Sequence, residues 1–279
     1  MVSKSQYDEA AVKACEAVLL ELIHLLGEFK DEMVIIGGWV PKFLIDQTGE
    51  PHIGSLDIDI ALDFSKIPDA SYKTILKVFL KHGYSQDKEQ PFRLYRNVED
   101  DKTRPILVEV DLMAGEYGGT GKGHRTQKIQ DVRARKVRGC DLAFDTTVTV
   151  ILEGELPEGG KDKVRFKIAG IVPFLAMKGM ALYGRIKEKD AYDIWYCVNY
   201  YSGGTKKLAA AFKPHIKNNL VREGLGKIRS KFASVEHAGP KWIADFLEVT
   251  EKEDRNIVMR NAYEKITELL DTLRITSWD

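Results

Sequence analysis

Asp57 and Asp59, in the stretch Ser55-Leu-Asp57-Ile-Asp59-Ile60, are the first residues whose types and spacing suggest chemistry. Successive side chains of a strand alternate faces, so both carboxylates point one way while Leu56, Ile58 and Ile60 enter the core. Held side by side they repel unless a cation lies between them, and a hard divalent ion with oxygen ligands, magnesium or manganese, suits such a pair. Alternating acids on a solvated strand face would give the same spacing. A later run, Val108-Glu109-Val-Asp111-Leu112, repeats the device with Asp111, and Glu109 on the same face is the alternative third ligand. Three strand carboxylates suit two metal ions that clamp the attacking and leaving oxygens of nucleotidyl transfer. Upstream, Gly37-Gly38 lies between the apolar run Met33 to Ile36 and the periodic stretch Trp39 to Ile45. A glycine turn between strand and helix exposes backbone N–H groups to a phosphate.

A second group is helical. Lys178, Ala181, Leu182 and Arg185 share one face, so a lysine and an arginine project together and could neutralise a triphosphate or its departing pyrophosphate. Asp190 and Asp193 lie one turn apart on the next helix. The same spacings also read as plain ion pairs, Lys189 with Asp193 and Arg185 with Asp190 or Asp193. A third group is basic: Lys122, Arg125, Lys128, Arg133, Arg135, Lys136 and Arg138 stand against the single acid Asp131, a local excess of +6. Such an arm suits nucleotide or RNA phosphates, or is a solvated loop with partners elsewhere.

The elements that must position these groups follow from periodicity. Val12 to Leu26 predicts an amphipathic helix ending near Gly27, Leu56 to Phe64 a strand, Ala70 to His82 a helix and Pro105 to Met113 a strand. Glu116 to Cys140 reads as a long loop or arm. Thr146 to Leu152 and Val164 to Ile168 read as strands around the turn Pro157-Glu-Gly-Gly160, and from Val172 onward the pattern is helical. The expected fold class is α+β: a mixed sheet with flanking helices over 1–170, carrying the basic arm 116–140, then a mostly helical domain over 171–279.

Gly37-Gly38-Trp39, then Ser55-Leu-Asp57-Ile-Asp59, then Asp111 resembles the signature of the polymerase-β-like nucleotidyltransferase superfamily, though the interval from Gly38 to Asp57 is long for it. Lys178-Gly-Met-Ala181 through Arg185-Ile-Lys187-Glu-Lys189-Asp190-Ala-Tyr-Asp193 resembles the AbiEii-like branch, the toxins of type IV toxin–antitoxin systems. The resemblance implies the nucleotidyltransferase fold, magnesium or manganese on Asp57, Asp59 and Asp111, and a nucleoside triphosphate held by Gly37, Gly38, Ser55, Lys178 and Arg185. Asp193 would orient Lys178 or act as a base. It further implies an RNA acceptor such as a transfer RNA end, and a cognate antitoxin; Lys122, Arg125, Lys128, Arg133 and Arg135 of the basic arm are, by their charge, the candidate contacts for acceptor or nucleotide phosphates. Gly-Gly-Trp followed by Gln47-Thr48 also resembles the lincosamide and aminoglycoside nucleotidyltransferases, whose acceptors are small molecules, and a catalytically silent nucleotide-binding protein is a third reading.

Composition bounds these readings. The 279 residues carry 42 basic and 42 acidic side chains, which argues against a generally basic nucleic-acid binder, so any affinity for polyanions must be local. Cys15, Cys140 and Cys197 are widely spaced and odd in number, as expected of buried thiols in a reducing compartment. The scattered histidines suggest no zinc cluster, and Gly118 to Gly123 lacks the ending a P-loop requires. The N-terminal stretch fits neither a signal nor a transit peptide and no apolar run is long enough to span a bilayer, so a cytoplasmic protein without membrane contact is expected.

Overall fold

The computed structural model describes residues 2–46, 49–63, 66, 69–99, 104–115, 126–129 and 132–278, with backbone alone for 69–74, 126–129, 132 and 133. Contacts divide the chain into two units. One comprises Tyr7–Val40 and Gly54–Gly170, the other Met1–Gln6, Pro41–Ile53 and Ile171–Asp279.

The first unit is a mixed sheet. Helix α1 (Glu9–Leu25) starts at Asp8, whose side chain accepts from the Ala11 N–H at 2.8 Å. Its apolar stripe, Cys15, Val18, Leu19, Leu22 and Ile23, is buried. Strand β1 (Met33–Ile36) is buried throughout and leads into a single tight turn of helix, Gly37–Trp39, followed by α2 (Val40–Leu44). The remaining strands are β2 (Asp57–Leu62), β3 (Tyr84–Gln86), β4 (Arg93–Glu99), β5 (Pro105–Gly115), β6 (Thr126–Ile129), β7 (Val132–Val137), β8 (Thr147–Glu155) and β9 (Lys161–Ala169), with α3 (Asp69–Lys81) between β2 and β3. Along the sheet the order is β3-β4-β5-β2-β1-β9-β8. β2 runs parallel to β5 and antiparallel to β1, so the central strands carry both pairing senses.

One expectation is corrected. Part of the segment read as a loop is a hairpin: β6 pairs antiparallel with β7, and β7 runs parallel to the end of β5. Arg135 and the charges beside it that mask the alternation are tolerated because the strand needs only one apolar face, and Ala134 supplies a fully buried contact. Lys122 and Arg125 lie outside the described residues, as do Gln47 and Thr48.

The second unit is helical: α4 (Ile171–Gly184), α5 (Glu188–Tyr200), α6 (Gly204–Phe212), α7 (Asn219–Lys231), α8 (Ala238–Phe246) and α9 (Lys252–Thr272). α4 is almost wholly apolar and buried. It crosses α7 at glycines: a side chain at Gly224 would strike the Ala176 backbone, and one at Gly179 would strike the Gly224 carbonyl. Pro41–Ile53 belongs to this unit through Tyr196, whose hydroxyl donates to the Glu50 carbonyl at 2.8 Å, and through His52. Among the described residues no helix is long and apolar enough to cross a membrane.

Candidate functional site

Asp57 and Asp59 occupy one face of β2, with Ile58 and Ile60 fully buried behind them. The parallel pairing sets Asp59 beside Asp111 and Asp57 beside Glu109, so four carboxylates share one face across two adjacent strands. Neighbouring strands are about 4.8 Å apart, close enough for their charges to interact strongly. The Ser55 hydroxyl donates to Asp57 Oδ1 at 2.5 Å. This contact ties the proposed triphosphate serine to the acid pair.

The glycine turn meets the same acids. Ile36, the last residue of β1, pairs with Asp59, and Gly37 follows with φ of +71°, a left-handed conformation that favours glycine. A Cβ on Gly37 would collide with the Asp59 carboxylate. The turn and the acid pair are therefore one structure, brought together by the β1–β2 register.

Arg93 was not among the expected site residues. It pairs with Asp111 across the antiparallel β4–β5 ladder and holds that carboxylate with a two-pronged fork, Nε to Oδ1 at 2.7 Å and Nη2 to Oδ2 at 2.9 Å. Its third nitrogen, Nη1, reaches Glu109 Oε2 at 2.9 Å. The hydrogen bond to Asp111 raises the guanidinium pKa above its usual value. Both alternatives for a third metal ligand are thus gripped by one arginine. The alternation Arg93-Leu-Tyr95-Arg-Asn-Val98 was the signal available for β4, but pairing with β5 is a register that spacing does not reveal.

The chemistry of this donor set suits a hard divalent cation, because every donor is a carboxylate oxygen. Asp57 and Asp59 are the residues that would hold it. Among the described residues, no three His, Cys, Asp or Glu side chains already converge on one point, and Asp111 turns both oxygens toward Arg93.

In the helical unit, Lys178, Asp190 and Asp193 form a buried cluster. Lys178 Nζ donates to Asp190 Oδ1 at 2.7 Å and to Asp193 Oδ2 at 2.8 Å, and Lys189 Nζ donates to Asp193 Oδ1 at 2.8 Å. Arg185, with 49% of its side chain exposed, bonds Asp190 Oδ2 at 2.8 Å from its Nε. Burial alone would lower the Lys178 pKa, but Asp190 and Asp193 outweigh it and the lysine stays charged. Burial alone would raise the Asp193 pKa, but Lys178 and Lys189 hold it well below the carboxylate range. A carboxylate so held is a poor proton acceptor.

His52, passed over in the sequence as one of several scattered histidines, completes the cluster. An ionised carboxylate can only accept, so Nε2 carries the hydrogen it donates to Asp193 Oδ1 at 2.9 Å. The ring packs against Tyr192 and Tyr196, with centroids 5.6 and 4.8 Å away. Burial pushes its pKa down to about 4 despite the opposing hydrogen bond, leaving it neutral at pH ~7.

Of the basic arm, Arg135 is described with its side chain; it is exposed and lies 6.0 Å from the Phe92 ring centre. Lys128 and Arg133 are placed by their backbone on the β6–β7 hairpin.

No family model matches this chain, and no curated protein does. Among solved structures it is similar to an antigenic nucleotidyltransferase-like protein from Paracoccidioides brasiliensis, at 15% identity and a TM-score of 0.47, covering 93% of this chain and 94% of that one. A likeness that loose assigns no reaction, and the function must be read from the residues themselves.

Proposed function

We propose that this chain is a metal-dependent nucleotidyltransferase. The observation that carries the reading is the joining of Asp57, Asp59 and Asp111 on one sheet face with the Gly37 turn packed against Asp59. In the reaction, an acceptor hydroxyl attacks the α-phosphorus of a nucleoside triphosphate. The new phosphorus–oxygen bond forms as the bond to pyrophosphate breaks, and the hydroxyl proton is lost to a nearby base. A divalent ion, when bound, supplies charge neutralisation at the attacking and leaving oxygens. Asp57 and Asp59 would hold it, and the Gly37–Gly38 turn and Ser55 orient the terminal phosphates.

The acceptor in this reading is RNA, supported by the basic β6–β7 hairpin with its exposed Arg135. The toxin role with a cognate antitoxin follows from the AbiEii-like resemblance. The test is label transfer from each triphosphate to total RNA with magnesium present, comparing wild type with the Asp57→Asn/Asp59→Asn double variant. Labelled RNA with wild type and a loss of at least a hundredfold in the variant is expected. Transfer that survives the double substitution would overturn the mechanism, and transfer to an aminoglycoside or lincosamide instead would overturn the acceptor.

A further inference from the structure

The helical unit carries a row of rings and cations that the reaction above does not use. Lys227 Nζ lies 5.4 Å from the Tyr183 ring centre and 5.5 Å from that of Trp278. Lys231 Nζ lies 5.0 Å from Tyr183 and 5.6 Å from Trp242. The order is therefore Trp278, Lys227, Tyr183, Lys231, Trp242, with aromatic and cationic groups alternating. We infer that this row is a docking surface for single-stranded nucleic acid, its lysines meeting phosphates and its rings stacking on bases. The idea extends the reading of an RNA acceptor but concerns a different set of residues.

The row is built by the backbone. The close crossing of α4 and α7 at Gly179 and Gly224 lays Tyr183, one turn beyond Gly179, over the lysines of α7. Trp278 is pinned to α7 from the other side. Its N–H donates to Ser230 Oγ at 2.9 Å, and the Ser230 hydroxyl donates to the Trp278 carbonyl at 2.8 Å. Lys227 and Lys231 are one helical turn apart, so their ammonium groups repeat along one face.

Exposure and charge select the ligand. Tyr183 is 40% exposed and Trp278 42%, where rings serving only to bury area would be covered. Lys227 is bonded to Glu223 at 2.6 Å and is mostly buried, whereas Lys231 makes no ion pair among the described residues and its ammonium lies between two rings, so Lys231 is the lysine open to a phosphate. An acidic peptide would satisfy the lysines but leave the rings without planar partners. A duplex hides its bases in the stack. A single strand presents phosphates and flat bases together, and stacking is tolerant of sequence.

The test uses the full chain without triphosphate and with chelator, and reads the anisotropy of a labelled oligouridylate of roughly 12 nucleotides. Tyr183→Leu and Trp242→Leu are each expected to weaken binding about tenfold, while Trp242→Phe, which keeps a ring, binds near the wild-type level. Lys231→Gln should lower the slope of log affinity against log salt by about 0.7. Asp57→Asn/Asp59→Asn should bind like wild type, so loss of transfer and loss of docking are separable. Unchanged binding in Tyr183→Leu and Trp242→Leu would overturn the inference. So would equal competition by polyglutamate or by a duplex of the same length.

Discussion

Lowering the pH should weaken the helical unit through His52. Buried with its Nε2–H on Asp193, the ring is held neutral down to pH about 4, whereas the same side chain in the unfolded chain titrates at 6.5. Between those values the unfolded state binds the extra proton, so stability rises with pH there. The contribution is fully present above 6.5 and is lost as pH falls toward 4. For a single site with these two values, moving from pH ~7 to pH ~4.5 removes about 2 kcal/mol. The perturbation that isolates it is His52→Gln, whose amide can still donate to Asp193 but does not titrate. Urea unfolding followed by tryptophan fluorescence, with Trp195, Trp242 and Trp278 all in this unit, gives the stability of both proteins at each pH. Carboxylate titrations are common to the two proteins and cancel in the difference. The wild type should lose about 2 kcal/mol more than the variant between pH ~7 and ~4.5. A difference that does not change with pH would mean that His52 is not held neutral by burial, and the account of the cluster would fail.

Arg93→Gln removes the fork from Asp111 and one contact from Glu109. It should cost about 2 kcal/mol without metal while tightening manganese binding measured by spin-resonance titration, since the freed carboxylate becomes an available donor. Manganese affinity equal to wild type would show that Asp111 does not serve as a ligand. Gly224→Ala forces a methyl against the Ala176 backbone and should lower the unfolding midpoint through about 1–3 kcal/mol of overpacking; an unchanged midpoint would refute the close crossing.

Legibility in the sequence divided along physical lines. Strand β2 and its acids could be read because alternation is local: Asp57 and Asp59 must share a face wherever that strand lies. Their joining to Gly37 and Asp111 required the β1–β2 and β2–β5 registers, which motif resemblance suggested and spacing alone did not. Arg93 went unnoticed because its partner on β5 is 18 residues away and is fixed by an antiparallel ladder. His52 lay in a segment without periodicity, and its partner Asp193 is 141 positions further on. The β6–β7 hairpin was hidden by composition, since runs such as Arg133-Ala-Arg135-Lys136 look like a solvated arm when judged by charge. The lysine–aromatic row escaped because its members come from three helices and the segment after α9.

The sharing of Met1–Gln6 and Pro41–Ile53 with the helical unit has a consequence for synthesis. These segments leave the ribosome well before the residues they bind, which begin at Ile171. At ordinary elongation rates the wait is on the order of 10 s, during which β1, β2 and the strands beyond them can form while His52 has no Asp193 to bond. The helical unit therefore cannot finish folding as a trailing domain, and must recapture segments synthesised long before Ile171.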